Sequence, residues 1–218
     1  MSKKLGIILV ILGAALLAAA LLLILHNRQE SDQAGQQAET ALADVQAVIA
    51  ENTNRTASQL ESDSAEAASE VSHAPRETDA PLSQEMPVVT VDGYDYVGYV
   101  SIPALELELP VMAQWDDDRL SIAPCRQFGS SRTDDLVIAG HNYASHFGSL
   151  KELEVGDRVI FTDAEGMVNH YAVAGIDTVS PLDVEAVQNS GYDLVLYTCT
   201  VGGQTRVVVL CNRTAEPS

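Results

Sequence analysis

Asp193-Leu-Val-Leu-Tyr-Thr-Cys199, Thr200-Val-Gly-Gly-Gln-Thr-Arg206 and Val207-Val-Val-Leu210 follow one another without interruption in this 218-residue sequence. Two runs rich in β-branched residues, joined by a polar segment with a double glycine, read as a β-hairpin, because glycine supplies the positive φ that a tight turn requires. With Gly202 and Gly203 as the loop, Val201 faces Gln204, Thr200 faces Thr205 and Cys199 faces Arg206. Opposed residues of an antiparallel pair have Cβ atoms roughly 5 Å apart on the same side of the sheet. A thiol and a guanidinium are therefore expected side by side. The same register puts Leu194, Leu196, Thr198, Val207, Val209 and Cys211 on the opposite face, which is apolar enough to be the core side.

Upstream of this hairpin, the segment 88–218 is dense in Val, Ile, Leu and Tyr with Gly and Pro punctuation, a normal single-domain composition. Runs at 96–102, 105–111, 136–139, 158–162, 170–179, 194–198 and 206–210 read as short strands, which implies a closed barrel or a sandwich. Two short helices fit between them, one capped by Ser145 and one opening at Ser180-Pro-Leu-Asp183.

The other end of the chain is different. Lys3-Lys4 precede an uncharged run from Leu5 to Leu25, and roughly 20 such residues are enough helix to cross a hydrocarbon core of roughly 30 Å. The run is longer than the apolar region of a cleaved signal peptide. The expectation is a cytoplasmic tip and membrane span over 1–26, with everything after it outside the plasma membrane. Segment 27–87 is rich in Ala, Ser, Glu and Gln and lacks aromatic residues, so it reads as an acidic stalk. Within it Ala38, Ala41, Leu42, Val45, Val48 and Ile49 recur at helical spacing, predicting an amphipathic helix between about Gln33 and Glu51 that is marginal or self-associating.

The formal charge of −19 repels phosphate backbones, which sets nucleic acid aside as a partner. Three cysteines are an odd number. Cys125 and Cys211 read most simply as small buried apolar residues; a disulfide between them stays open, since sequence does not give their separation.

Val195-Leu-Tyr-Thr-Cys199 resembles the Thr-Leu-x-Thr-Cys signature of sortases, the cysteine transpeptidases that anchor proteins to Gram-positive cell walls, with valine at the first position. Leu136-Val-Ile-Ala-Gly-His141-Asn142 is similar to their strand ending in Gly-His-Asn, and Arg206 falls where the family carries its arginine. The resemblance runs from about Tyr96 to Arg213. It implies an all-β closed barrel of about eight strands with short helices, in which the strands ending at Gly140 and Thr198 are parallel neighbours. It also implies cleavage of a Leu-Pro-x-Thr-Gly-like sorting motif on secreted proteins and transfer to an amine of a peptidoglycan precursor or a pilin. Cys199, His141 and Arg206 would be catalytic, with Tyr197, Thr198, Val195 and Asn142 bordering the substrate. A chain ending soon after the last strand, with a short 179–191 connection, further suggests a compact housekeeping-like or small accessory member.

The residue chemistry agrees with those roles. A cysteine nucleophile acts as the thiolate, and Arg206 across the hairpin favours an anion and offers a planar fork to a developing oxyanion. His141 is the natural acid–base group, since imidazole titrates nearest neutral pH. Metal chemistry is the competing use of these residues. His141 and His146 lie five apart and no Cys-x-x-Cys or His-x-x-x-His occurs; Asp116-Asp117-Asp118 could help bind calcium, as acidic loops do in some sortases, but it lacks the alternating ligands and central glycine of an EF-hand, so no cofactor is expected and the acidic triplet reads as a turn before a short helix. Two other readings use the same residues: a tethered cysteine endopeptidase acting by hydrolysis, and a barrel that binds wall peptides without turnover.

Overall fold

Runs rich in β-branched and aromatic residues, bounded by turn residues, form nine strands among the described residues: β1 (Val89–Val91), β2 (Tyr94–Ile102), β3 (Leu107–Met112), β4 (Cys125–Phe128), β5 (Leu136–Gly140), β6 (Arg158–Asp163), β7 (Val168–Val179), β8 (Leu194–Cys199) and β9 (Arg206–Arg213). The computed structural model describes residues 3–67, 85–183 and 187–215, with the backbone alone at 3–5 and 59–67. The strand order is β1-β2-β3-β4-β5-β8-β9-β7-β6, and β2 also pairs with β6. That last pairing closes β2 to β9 into an eight-stranded barrel, with β1 added on the N-terminal part of β2.

Leu194, Leu196, Val209 and Cys211 point inward and pack with Leu136, Ile138, Val100, Phe161 and Tyr171, all essentially inaccessible. The outward residues of the same strands are also partly covered: Val137, Val195, Val208 and Leu210 form a second cluster with Val187, flanked by Phe128, Val179, Tyr192 and Tyr197. This explains why β8 and β9 read as nearly continuous apolar runs rather than as strict alternation.

Several local expectations change. Leu105 lies in a 3₁₀ turn, Pro103–Leu105, closed by Glu106 at φ 51°, so β3 begins two residues later. Strands β1 and β4 were not legible, being three and four residues long and of mixed polarity. Ser145 does not cap a helix; it sits in a turn, and the 3₁₀ segment Leu150–Glu152 follows. At Ser180 the Oγ accepts from the Leu182 amide at 3.3 Å, while the next residues of the expected helix, 184–186, lie outside the described residues. The three thiols are free, with Cys125 and Cys211 buried.

The largest correction concerns the stalk. Helix α1 (Lys3–Ala67) is uninterrupted, running from the apolar N-terminal stretch through the alanine-rich segment. The stripe read from sequence is present, but the barrel covers it: Ala34, Ala38, Val45 and Ile49 are buried, the last two against Val89, Tyr96, Met112 and Ala123. Thr53 Oγ1 of α1 donates to the Glu165 carbonyl at 3.3 Å in the β6–β7 turn. Val45→Asp would bury a carboxylate in this apolar seam and is expected to destabilise the chain by about 3 kcal/mol or more. Thermal unfolding and protease sensitivity of α1 would measure it; an unchanged Tm would mean that the seam contributes nothing.

Candidate active site

Strands β5 and β8 run parallel, with Leu136 opposite Leu194 and Gly140 opposite Thr198. The next residue on each strand is His141 and Cys199, so both leave the sheet at one edge of the barrel. β9 returns from the hairpin with Arg206 opposite Cys199. The three residues that the sequence singled out are thus gathered by two strand pairings.

The hairpin differs in detail from the two-residue loop expected. The Gly203 amide donates to the Thr200 carbonyl at 2.8 Å, so the tight turn spans 200–203 rather than centring on Gly202-Gly203. Both glycines have positive φ, 85° and 71°, and Thr200 and Thr205 close the loop through the Thr200 amide and paired hydroxyls. The Cys199–Arg206 register is unaffected. Arg206 Nη1 donates to the carbonyls of Gly203 at 3.0 Å and Thr205 at 3.1 Å, which fixes the guanidinium against the loop.

His141 is half-buried at the start of a compact loop. The Phe147 amide donates to its carbonyl at 3.0 Å, and the His146 and Gly148 amides donate to the Tyr143 carbonyl. A side chain on Gly140 would stand 2.5 Å from the Phe147 ring, which explains the glycine before the histidine by space alone. The rings of His141 and Tyr143 lie 4.8 Å apart, and those of Tyr143 and His146 5.6 Å. His146 is fully buried, and burial pushes its imidazole down to about 4, an effect that the Ala34 backbone of α1 partly offsets. It is neutral at physiological pH and serves packing.

Helix α1 closes over this loop. Ser145 Oγ donates to the Ser31 carbonyl at 2.8 Å, and a Cβ on Gly35 would come within 2.9 Å of the Ser145 Cβ. Burial lowers the His141 pKa, while the negative charges of Asp117 and Glu30 oppose that shift. Glu30→Gln removes a charge that stabilises imidazolium, so the limb of the pH–rate profile set by His141 is expected to move to lower pH. Titration by NMR of the His141 ring would show the same displacement; a shift to higher pH would contradict the assignment.

The remaining sequence-predicted residues divide. Tyr197 borders an outer cleft of about 220 Å³ beside Arg206, and its hydroxyl donates to Gln127. Its pKa is pushed up to about 12 by burial, so it is a neutral phenol. Asn142 is half-buried in the His141 loop. Val195 is buried in the outer cluster, and Thr198 points into the barrel with its hydroxyl unpartnered, so both support the cleft from beneath rather than lining it. Sequence reasoning assigned no part in the cleft to several residues that line it, among them Trp115, Gln127, Phe128, Val179 and Val187. Gln127 and Phe128 lie on the unrecognised β4, whose four residues carry no local pattern that pointed to them. The acidic triplet begins α2 (Asp117–Leu120): the Asp116 carboxylate accepts from the Arg119 amide at 2.8 Å and pairs with its guanidinium.

The chain has counterparts among known proteins. A sequence model of the Sortase domain matches residues 100–214, more than half of the chain and the whole of the segment that carries His141, Cys199 and Arg206. The chain belongs to the sortase family. It is 30% identical to sortase A of Bacillus anthracis over 127 residues, 56% of this chain and 60% of that protein. It therefore spans less than two thirds of that curated relative. Among solved structures, sortase C1 of Streptococcus agalactiae is similar at a TM-score of 0.50 and 26% identity, covering 59% of this chain and 72% of that one. Sortase C1 of Streptococcus suis shares the fold at the same TM-score and 24% identity, covering 56% and 75%. The closed barrel expected from the sequence resemblance is the observed fold, and its relatives include both an A-type and C-type sortases.

Proposed function

We propose that this sortase is a membrane-anchored cysteine transpeptidase whose Cys199 cleaves a Leu-Pro-x-Thr-Gly-like sorting motif. The observation that supports it most is the joint register of β5, β8 and β9, which brings His141, Cys199 and Arg206 to one barrel edge beside the Tyr197 cleft. In this reading the Cys199 thiolate attacks the threonyl carbonyl carbon, and Arg206 swings from its loop carbonyls to the oxyanion. The Thr–Gly C–N bond breaks as His141 gives its proton to the departing glycine amine, leaving a thioester on Cys199. An amine of a peptidoglycan precursor or a pilin then attacks the thioester while neutral His141 takes its proton, forming a new amide and returning the thiolate and the imidazolium. The part of α1 from Leu5 to Leu25 is long and apolar enough to cross a bilayer. With Lys3 and Lys4 on the cytoplasmic side it would hold the barrel outside as a single-pass anchor.

The test is to incubate the full chain in nanodiscs with a library of labelled Leu-Pro-x-Thr-Gly variants, with and without oligoglycine or diaminopimelate-type amines, and to weigh the products. Cleavage after threonine, with ligated product replacing hydrolysed product as amine rises, is the expected result. Cleavage indifferent to every amine would instead mark a cysteine endopeptidase, and no cleavage at all would mark a binding barrel.

A further inference from the structure

Helix α1 joins the apolar N-terminal stretch to the barrel without a break, and it docks early. Ser31, whose carbonyl holds the Ser145 loop, comes six residues after Leu25, the last residue of the apolar stretch. At 1.5 Å per residue that is about 9 Å along the helix axis. The headgroup layer on each side of a bilayer is roughly 5–8 Å thick, from the difference between total and hydrocarbon thickness. The loop that carries His141 therefore sits at the level of the headgroups or just above them. Thr53, which holds the β6–β7 turn at the opposite end of the barrel, is 28 residues beyond Leu25, about 42 Å along the same axis. One end of the barrel faces the bilayer and the other faces away.

The surface of the near end fits that position. Outside α1, the two most exposed large apolar side chains among the described residues are Val201 at 94% and Leu182 at 87%. Val201 is in the β8–β9 hairpin next to Cys199, and Leu182 is in the loop that leaves β7 at Val179, opposite Arg206. Trp115, 46% exposed, lines the cleft with Arg206 and lies two residues before Asp117, whose charge is felt by His141. Only Val155, in the turn before β6, approaches Val201 and Leu182 in exposure. Exposed apolar side chains on three separate loops at one end are costly in water, and a tryptophan among them is the residue most suited to the interfacial layer.

We propose that the Cys199 end of the barrel rests on the outer surface of the bilayer, with Trp115, Leu182 and Val201 immersed in the headgroup layer and α1 as the strut that sets the height. The contact is made by apolar insertion, since the near end also carries Asp117, Asp118 and Glu30 and so does not seek anionic lipid by charge. The cleft beside Arg206 then opens along the membrane plane, and chains emerging from the bilayer meet the thiol directly.

The inference rests on the membrane-anchor part of the proposed function, and one experiment separates the two. Trp115 is the chain's single tryptophan, so its emission reports the near end without labelling. The full chain is placed in phosphatidylcholine nanodiscs containing a headgroup-spin-labelled lipid. Retention in the disc fraction scores the anchor; quenching scores the height. The expected result is retention with at least twofold quenching of Trp115. A Trp115→Phe/Met167→Trp double variant, which moves the tryptophan to an exposed site in the far β6–β7 turn, should show little quenching. In Leu182→Asp/Val201→Asp, quenching of Trp115 should fall. Retention with an unquenched Trp115, or equal quenching at positions 115 and 167, would overturn the docking surface while leaving the anchor intact. Failure of the chain to stay in the disc would overturn the anchor and, with it, the docking.

Discussion

Cys199→Ala is expected to lower turnover by at least about 10⁴-fold while leaving the melting temperature within a degree or two of the parent, because the residue supplies the attacking atom rather than the packing. Its side chain is partly buried at the end of β8, outward of the barrel wall, and the core beneath is made by Leu194, Leu196 and Thr198. The two other thiols do not substitute for it. Burial pushes Cys125 and Cys211 each up to about 12, so both stay protonated, and neither reaches the cleft. Residual activity near the parent level, measured on the same peptide, would move the nucleophile elsewhere.

Arg206→Lys keeps a positive charge opposite Cys199 but loses the planar fork. A lysine ammonium is a flexible, strongly hydrated point charge, whereas the guanidinium bonds two loop carbonyls at once and can transfer that geometry to a substrate oxyanion. The expected loss is at least about a hundredfold in kcat/KM, the scale of removing one oxyanion donor. The decrease should fall mainly on kcat, since the interaction matures in the transition state. Because the Thr200–Thr205 hydrogen bonds close the hairpin independently, the fold is expected to persist. Parent-like turnover in the lysine variant would show that charge alone suffices.

These expectations were accessible from sequence because the relevant information is local. A hairpin with two glycines fixes which residues face each other, and period-two alternation fixes which face inward, so Cys199, Arg206 and the core side of β8 and β9 could be read without any tertiary knowledge. The proximity of His141 could not be derived that way. It depends on the parallel pairing of β5 with β8, which are 53 residues apart and share no turn, and only the resemblance to sortases supplied it. Strand β4, and with it Gln127 and Phe128 in the cleft, was invisible because four residues of mixed polarity carry no period.

The alanine-rich segment shows a different limit. Its apolar stripe was legible from Ala38 to Ile49, and those residues are buried or partly buried as the spacing implies. What the stripe packs against was not legible, because small apolar residues on one helix face suit a second copy, a bilayer or a barrel equally well. The barrel side of the seam, Val89, Tyr96, Met112 and Ala123, reads as ordinary strand and loop residues until the fold brings them together. The same contact turns a presumed spacer into a support for the His141 loop through Ser31, Ala34 and Gly35. A fragment starting near Pro87 would expose this seam and release that loop.

The most direct test of the central claim is the intact mass of the full chain after brief exposure to a cleavable sorting peptide without added amine, followed by peptide mapping. A single added acyl group, ending at the threonine and mapped to Cys199, is the predicted result, absent from Cys199→Ala and discharged when oligoglycine is supplied. Cleaved peptide with no adduct at Cys199, or an adduct on Cys125 or Cys211, would contradict it.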